Sequence, residues 1–152
     1  MKYGYTIFYV ENVKETITFY EKAFGFQQKF ITPVNDYGEL LSGETTIAFA
    51  SLTLGNTNLR NGYIPSISSQ KSNDESYKPF GVEMAFVIED IEVDFKKAID
   101  VGAIEYEPIV EKPWGQKVGY LRDNNGFLIE ICTPIKKETA NSVCEIYQLY
   151  TR

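Results

Sequence analysis

Residues Gly81–Thr133 read GVEMAFVIEDIEVDFKKAIDVGAIEYEPIVEKPWGQKVGYLRDNNGFLIEICT, and this stretch decides the fold. Val82–Ile88 is apolar and rich in β-formers, interrupted only by Glu83. Asp90 is placed to cap a helix whose inward stripe is Ile91, Phe95, Ala98 and Ile99, and Gly102 supplies its stop. Ile104–Val110 alternates loosely, Gln116–Leu121 is a short strand, and Asp123-Asn124-Asn125-Gly126 turns the chain back. Phe127–Cys132 then sets Phe127, Ile129 and Ile131 on one face and Leu128, Glu130 and Cys132 on the other. The segment predicts a strand, a helix and three further strands.

The first half repeats that order. Tyr5–Val10 starts as a strand, Asn12 and Glu15 have capping-box spacing, and Val13–Phe24 carries a stripe of Val13, Ile17, Tyr20 and Phe24 before Gly25. Phe26–Thr32, Tyr37–Ser42 and Thr45–Leu52 follow as strands. YTIFYVENVKETI lies over EMAFVIEDIEVDF, with Tyr5 on Glu83, Asn12 on Asp90 and Ile17 on Phe95. TTIAFAS lies over GFLIEIC, which places Phe49 on Glu130. An internal duplication explains the agreement of apolar, capping and glycine positions. The fold expected is α+β: one domain over residues 1–133, built of two βαβββ modules at about 3–54 and 81–133. Residues 55–80 are expected to be a polar connecting loop, with Tyr63-Ile64-Pro65 and Ile67 able to dock on the body. The tail, 134–152, carries Val143, Ile146, Tyr147 and Tyr150 on one side of a short helix.

Composition narrows the function. A net charge of −6 without a Lys/Arg cluster argues against nucleic acid or an anionic membrane as partner. No apolar run approaches the ~20 residues of a membrane span, and the first residues do not begin a signal peptide. Cys132 and Cys144 make no disulfide framework and read as reduced cytoplasmic thiols. The chain has no histidine, so Ser-His-Asp and Cys-His catalysis, imidazole zinc sites and the two-His-one-carboxylate iron site are all excluded. Eleven Tyr and ten Phe favour an aromatic-lined cavity.

A duplicated βαβββ module ending in RDNNGFLIEI resembles the vicinal oxygen chelate superfamily: glyoxalase I, bleomycin-resistance proteins, extradiol dioxygenases and fosfomycin-resistance enzymes. The resemblance runs from Tyr5 to about Thr133 and rests most on Tyr5–Phe26 and Pro113–Ile131, with Asp123-Asn124-Asn125-Gly126 where the family usually has Asp-Pro-Asp-Gly. It implies a cup-shaped, mostly antiparallel sheet with metal ligands at four equivalent points, here Tyr5, Phe49, Glu83 and Glu130. Two of those are carboxylates, Phe49 cannot ligate, and a Tyr phenol has a pKa of about 10.

Strand alternation puts the same side chains in the cup: Tyr5, Ile7 and Tyr9 on the first strand, Glu83 on the first strand of the second module, Leu128 and Glu130 on the last. A neighbouring Tyr, Arg or water at a wet mouth satisfies such carboxylates as well as a ligand does. Trp114, in Lys112-Pro113-Trp114-Gly115-Gln116, either plugs the core or stacks on a ligand. The ligand-binding set expected is therefore Tyr5, Ile7, Phe49, Glu83, Trp114, Leu128 and Glu130. Two functions stay open. In one, a homodimer binds a small amphipathic or cationic organic molecule without a transition metal. In the other, a metal-dependent glyoxalase-type lyase, isomerase or dioxygenase uses Glu83 and Glu130, with Mg²⁺ or Mn²⁺ held weakly. A regulatory or structural dimer without ligand is the third reading.

Overall fold

Each main helix begins where a side chain accepts an otherwise orphaned amide. Glu15 N–H donates to Asn12 Oδ1 at 3.0 Å, and Val93 N–H donates to Asp90 Oδ1 at 3.2 Å. These caps open α1 (Val13–Phe24) and α3 (Ile91–Asp100), and Gly25 at φ 71° closes α1 in the left-handed region. The computed structural model describes residues 1, 3–60, 79 and 81–135. Its strands are β1 (Thr6–Val10), β2 (Gln27–Ile31), β3 (Tyr37–Ser42), β4 (Thr45–Ser51), β5 (Glu83–Val87), β6 (Ile104–Glu111), β7 (Lys117–Arg122) and β8 (Leu128–Cys132).

The strands form two four-stranded sheets, ordered β1-β4-β3-β2 and β5-β8-β7-β6. In each, the first strand runs parallel to the last, and the other neighbours are antiparallel. This is the α+β arrangement of two βαβββ modules that the sequence predicts. One face of each sheet is covered by its helix, and the two covered faces share one apolar core. Phe8, Val10, Ile17 and Tyr20 belong to it with Met84, Ile91, Phe95, Ile129 and Ile131. Across the modules, Phe86 stands 5.0 Å from the rings of both Phe24 and Phe26, and Phe127 stands 5.0 Å from Phe8. Phe8 is buried and the other four rings are partly so; full burial of such a side chain contributes roughly 1.5–3 kcal/mol relative to exposure.

The duplication reappears at atomic scale. Gly38 on β3 and Gly119 on β7 hold matching places, one residue before Glu39 and Tyr120, which pair with β4 and β8 respectively. A Cβ on Gly38 would run into Ile17, and one on Gly119 would meet Phe95 Cε2 at 2.8 Å. Ile17 and Phe95 are the residues that the two halves superpose. Each helix thus crosses its sheet closely enough that only glycine fits beneath it.

Three expectations need correction. The polar stretch from Gly55 is not wholly a loop, because α2 (Leu52–Asn58) continues from β4, with Ser51 Oγ accepting from Leu54 N–H at 3.1 Å. Its Thr and Asn residues give no apolar period, so only the cap announces it. Ile99 is exposed, while Ile91, Phe95 and Ala98 are buried, since a ten-residue helix on a sheet needs only a narrow stripe. The third concerns Phe49 and the site, described below. The possible docking of Tyr63-Ile64-Pro65 and Ile67, the apolar stripe of the tail and Cys144 lie outside the described residues. Among those that are described, no helix is long and apolar enough to cross a membrane.

Gly119→Ala should cost about 1–3 kcal/mol through overpacking, because Phe95 and Ile109 close on the new methyl from two sides. Urea unfolding followed by far-UV circular dichroism measures it. An unchanged midpoint would show that α3 is not held as closely as described.

Candidate functional site

The open face of each sheet, turned away from its helix, is fixed by strand register. Phe8 pairs with Phe49 and Phe86 with Ile131, and all four side chains belong to the core or pack against it. Phe49 is 0% exposed, its ring 4.9 Å from Tyr20 on α1. It therefore matches Ile131 rather than Glu130, and the residue standing at the Glu130 position is Ala48, which pairs with Ile7 as Glu130 pairs with Ala85. The superposition of TTIAFAS on GFLIEIC was one residue out. A slip of one along a strand exchanges faces, which moves Phe49 from the expected cavity floor into the core.

The second module's open face holds the expected carboxylates together. Glu83, Ala85 and Val87 line β5, in register with Leu128, Glu130 and Cys132 on β8. On β7, Tyr120 lies opposite Glu130 and donates its phenol O–H to Glu130 Oε2 at 3.0 Å. Burial, the Glu130 hydrogen bond and charge, and then the charges of Glu83 and Glu107 push the Tyr120 phenol up to about 12. Burial and Glu130 likewise push the Cys132 thiol up to about 11. Arg122, buried on the same strand, sits under the Tyr106 ring at 4.8 Å.

The first module's open face carries Tyr5 and Ile7, both exposed, and a group that sequence reading missed. Glu39 is only 7% exposed; Lys29 Nζ donates to its Oε2 at 2.6 Å and the Tyr37 hydroxyl to its Oε1 at 2.8 Å. Burial alone would raise the Glu39 carboxyl, but these two hydrogen bonds hold it below the ordinary range. Tyr37 is driven well up by burial, by Glu39 and by neighbouring Tyr5. The signal was present in Tyr37-Gly38-Glu39, where period-two alternation puts both polar side chains opposite the glycine that meets the helix.

Trp114 lies at the β6–β7 connection, half-buried, its indole N–H donating to Gln116 Oε1 at 3.0 Å. Gln116 in turn donates to Thr133 O at 2.8 Å, so Trp114 belongs to the rim where β8 ends. The structure thus gathers Glu83, Leu128 and Glu130 on one open face and Tyr5 and Ile7 on the other, and removes Phe49. A cleft of about 410 Å³ opens between the modules, lined in part by Phe24, Phe26, Leu41, Ala85 and Val87, next to the carboxylates rather than around them. Among the described residues no group of three or more His, Cys, Asp or Glu is placed to hold a metal ion. At the four points where metal ligands were expected stand Tyr5, Ala48, Glu83 and Glu130, and alanine has no donor atom. The set offers oxygen donors alone and lacks the nitrogen or sulfur ligands typical of zinc, nickel and copper sites.

Residues 3–136 match the family model of the glyoxalase-like domain. No curated protein matches the chain. Among solved structures it is similar to a glyoxalase-related enzyme from Fulvimarina pelagi, at 14% identity over 88% of each chain, TM-score 0.70. It is also similar to a glyoxalase/bleomycin resistance protein/dioxygenase family enzyme from Burkholderia phytofirmans PsJN, at 17% identity over 86% of this chain and 96% of that one, TM-score 0.68. A third is lactoylglutathione lyase from Agrobacterium tumefaciens, at 15% identity over 87% and 92%, TM-score 0.58. At such identities the likeness establishes the fold.

Cys132 reports on the electrostatics of this face. In a Cys144→Ser background, its alkylation rate should keep rising with pH until about 11, and Glu130→Gln should move that midpoint downward. A plateau near the ordinary thiol value of ~8.5 would contradict the placement of Glu130 beside the thiol.

Proposed function

Because the chain belongs to the glyoxalase-like domain family of the vicinal oxygen chelate superfamily, we propose that it binds a small organic molecule on the open faces of its sheets without a transition metal. The observation that carries this reading is the donor set. Of the four matched points one is an alanine and one a phenol, and the chain has no histidine to supply a substitute. What remains is polar and aromatic: Glu83, Glu130 and Tyr120 on one face, Tyr5, Tyr37 and Glu39 on the other. Such a lining, apolar in part with a few fixed polar groups, is what ligand recognition requires. Trp114 and Leu128 extend the apolar part at the second module.

The reading includes self-association. Among the described residues β1 and β5 are each paired on one side only, and a second copy of the chain is a symmetric way to cover such edges. A reduced cytoplasmic setting suits the free, buried Cys132. The second reading, a lyase, isomerase or dioxygenase using a divalent ion, is favoured by one observation alone: Glu83 and Glu130 share an open face. Two carboxylates suit Mg²⁺ or Mn²⁺ held weakly, with most of the coordination left to water.

Metal analysis of natively purified protein by inductively coupled plasma mass spectrometry tests the metal-free reading. The expected result is zinc, iron, nickel and manganese far below one equivalent. A stoichiometric transition metal, lost on Glu83→Gln/Glu130→Gln replacement, would overturn the metal-free reading and establish the second.

A further inference from the structure

Both open faces carry a tyrosine whose hydroxyl proton is committed to a carboxylate. Tyr37 donates to Glu39 at 2.8 Å, and Tyr120 donates to Glu130 at 3.0 Å. The two pairs are built differently. Tyr37 and Glu39 lie two residues apart on β3, whereas Tyr120 and Glu130 face each other across β7 and β8. The same arrangement thus arises in each module from non-equivalent positions, since Glu39 occupies the place that Tyr120 holds in the other sheet.

A phenol has one proton and two lone pairs, and an ionised carboxylate only accepts. Once the proton is given to the carboxylate, the phenolic oxygen can only accept from anything that approaches it. At the first module Lys29 balances the Glu39 charge with an ammonium that is itself half-exposed, so the face around Tyr37 carries a cation of its own. At the second module, Glu83 and Glu107 add negative charge around Tyr120. Neither hydroxyl readily releases its proton, which keeps the polarity fixed through neutral pH.

We propose that Tyr120 is a specificity-determining residue of the second module's binding face, an acceptor-only hydroxyl that selects an organic ligand bearing N–H donors, an ammonium above all, and rejects carboxylates. This rests on the small-molecule-binding reading and names its ligand class. A ligand carboxylate placed against this hydroxyl meets lone pairs and a carboxylate behind them; an ammonium meets an acceptor strengthened by that same carboxylate. Leu128 on the same face suits an apolar body attached to the cation.

The test uses two probes of like size and opposite charge, phenethylamine and 3-phenylpropanoate, titrated calorimetrically into the full chain. The amine should bind in the millimolar range or tighter, and the carboxylate should not. Tyr120→Phe should weaken the amine about tenfold, the loss of one charge-assisted hydrogen bond. Glu130→Gln supplies an outcome that a merely structural tyrosine would not give. The amide can donate to the Tyr120 oxygen, the phenol can then turn its proton outward, and the amine-to-carboxylate preference should narrow. Amine binding unaltered by Tyr120→Phe, or tighter binding of the carboxylate, would overturn this inference and leave the binding reading intact. Binding of neither probe would remove both.

Discussion

One buried hydrogen bond holds the two modules in register with each other. Tyr20 on α1 donates its hydroxyl to Asp123 Oδ2 at 2.8 Å, across 103 positions of sequence, and both residues are almost fully buried. Asp123 Oδ1 meanwhile accepts the amides of Asn125 and Phe127, each at 2.8 Å, and so shapes the turn from β7 into β8. Asn125 reaches back to Thr16 Oγ1 at 3.0 Å, a second tie to the same helix. Burial raises the Asp123 carboxyl, and its three hydrogen bonds work against that rise. The stability this group contributes is complete below the ordinary carboxylate pKa of ~4 and declines as pH climbs through the raised value. Without the Tyr20 proton, a carboxylate oxygen would be buried unsatisfied, at a cost of about 1–3 kcal/mol or more. The turn that sets Glu130 on its strand thus depends on a side chain of the other module.

That dependence explains how much of the molecule could be read from its sequence. Capping residues, left-handed glycines and helical stripes act within a few residues, so α1 and its bounds, the start of α3 and the strand–helix–strand order of both halves were all legible. Register is different. Nothing local in Thr45–Ser51 says whether Ala48 or Phe49 faces the helix, because both are apolar enough for either side. The answer lies in Tyr20, whose ring receives Phe49. That contact lies outside the strand's own sequence, and a shift of one position along the strand exchanges its two faces. Ile99 shows the same limit at a helix, where periodicity predicts a wider stripe than the sheet covers.

The candidate site was legible in part for the same reason. Glu83 and Glu130 stand out as carboxylates in apolar strands, and alternation places them together. Glu39 has no such contrast, since Tyr37-Gly38-Glu39 begins as polar as a turn, and its ion-pair partner Lys29 lies on the neighbouring strand. With it comes the physical character of the open faces. Their polar groups are bonded among themselves, and among the described residues no group of three or more His, Cys, Asp or Glu is placed to hold a metal ion. Family membership supplies the scaffold, while these side chains decide what the scaffold is suited to hold.

The most direct test of the account is where a ligand lands. Amide chemical-shift mapping of ¹⁵N-labelled protein titrated with phenethylamine should perturb Tyr120 and Glu130 on β7 and β8. Perturbation confined to Phe24–Gln27, Gly43 and Val87 would put the ligand in the cleft between the modules instead, and would contradict the assignment of function to the open faces.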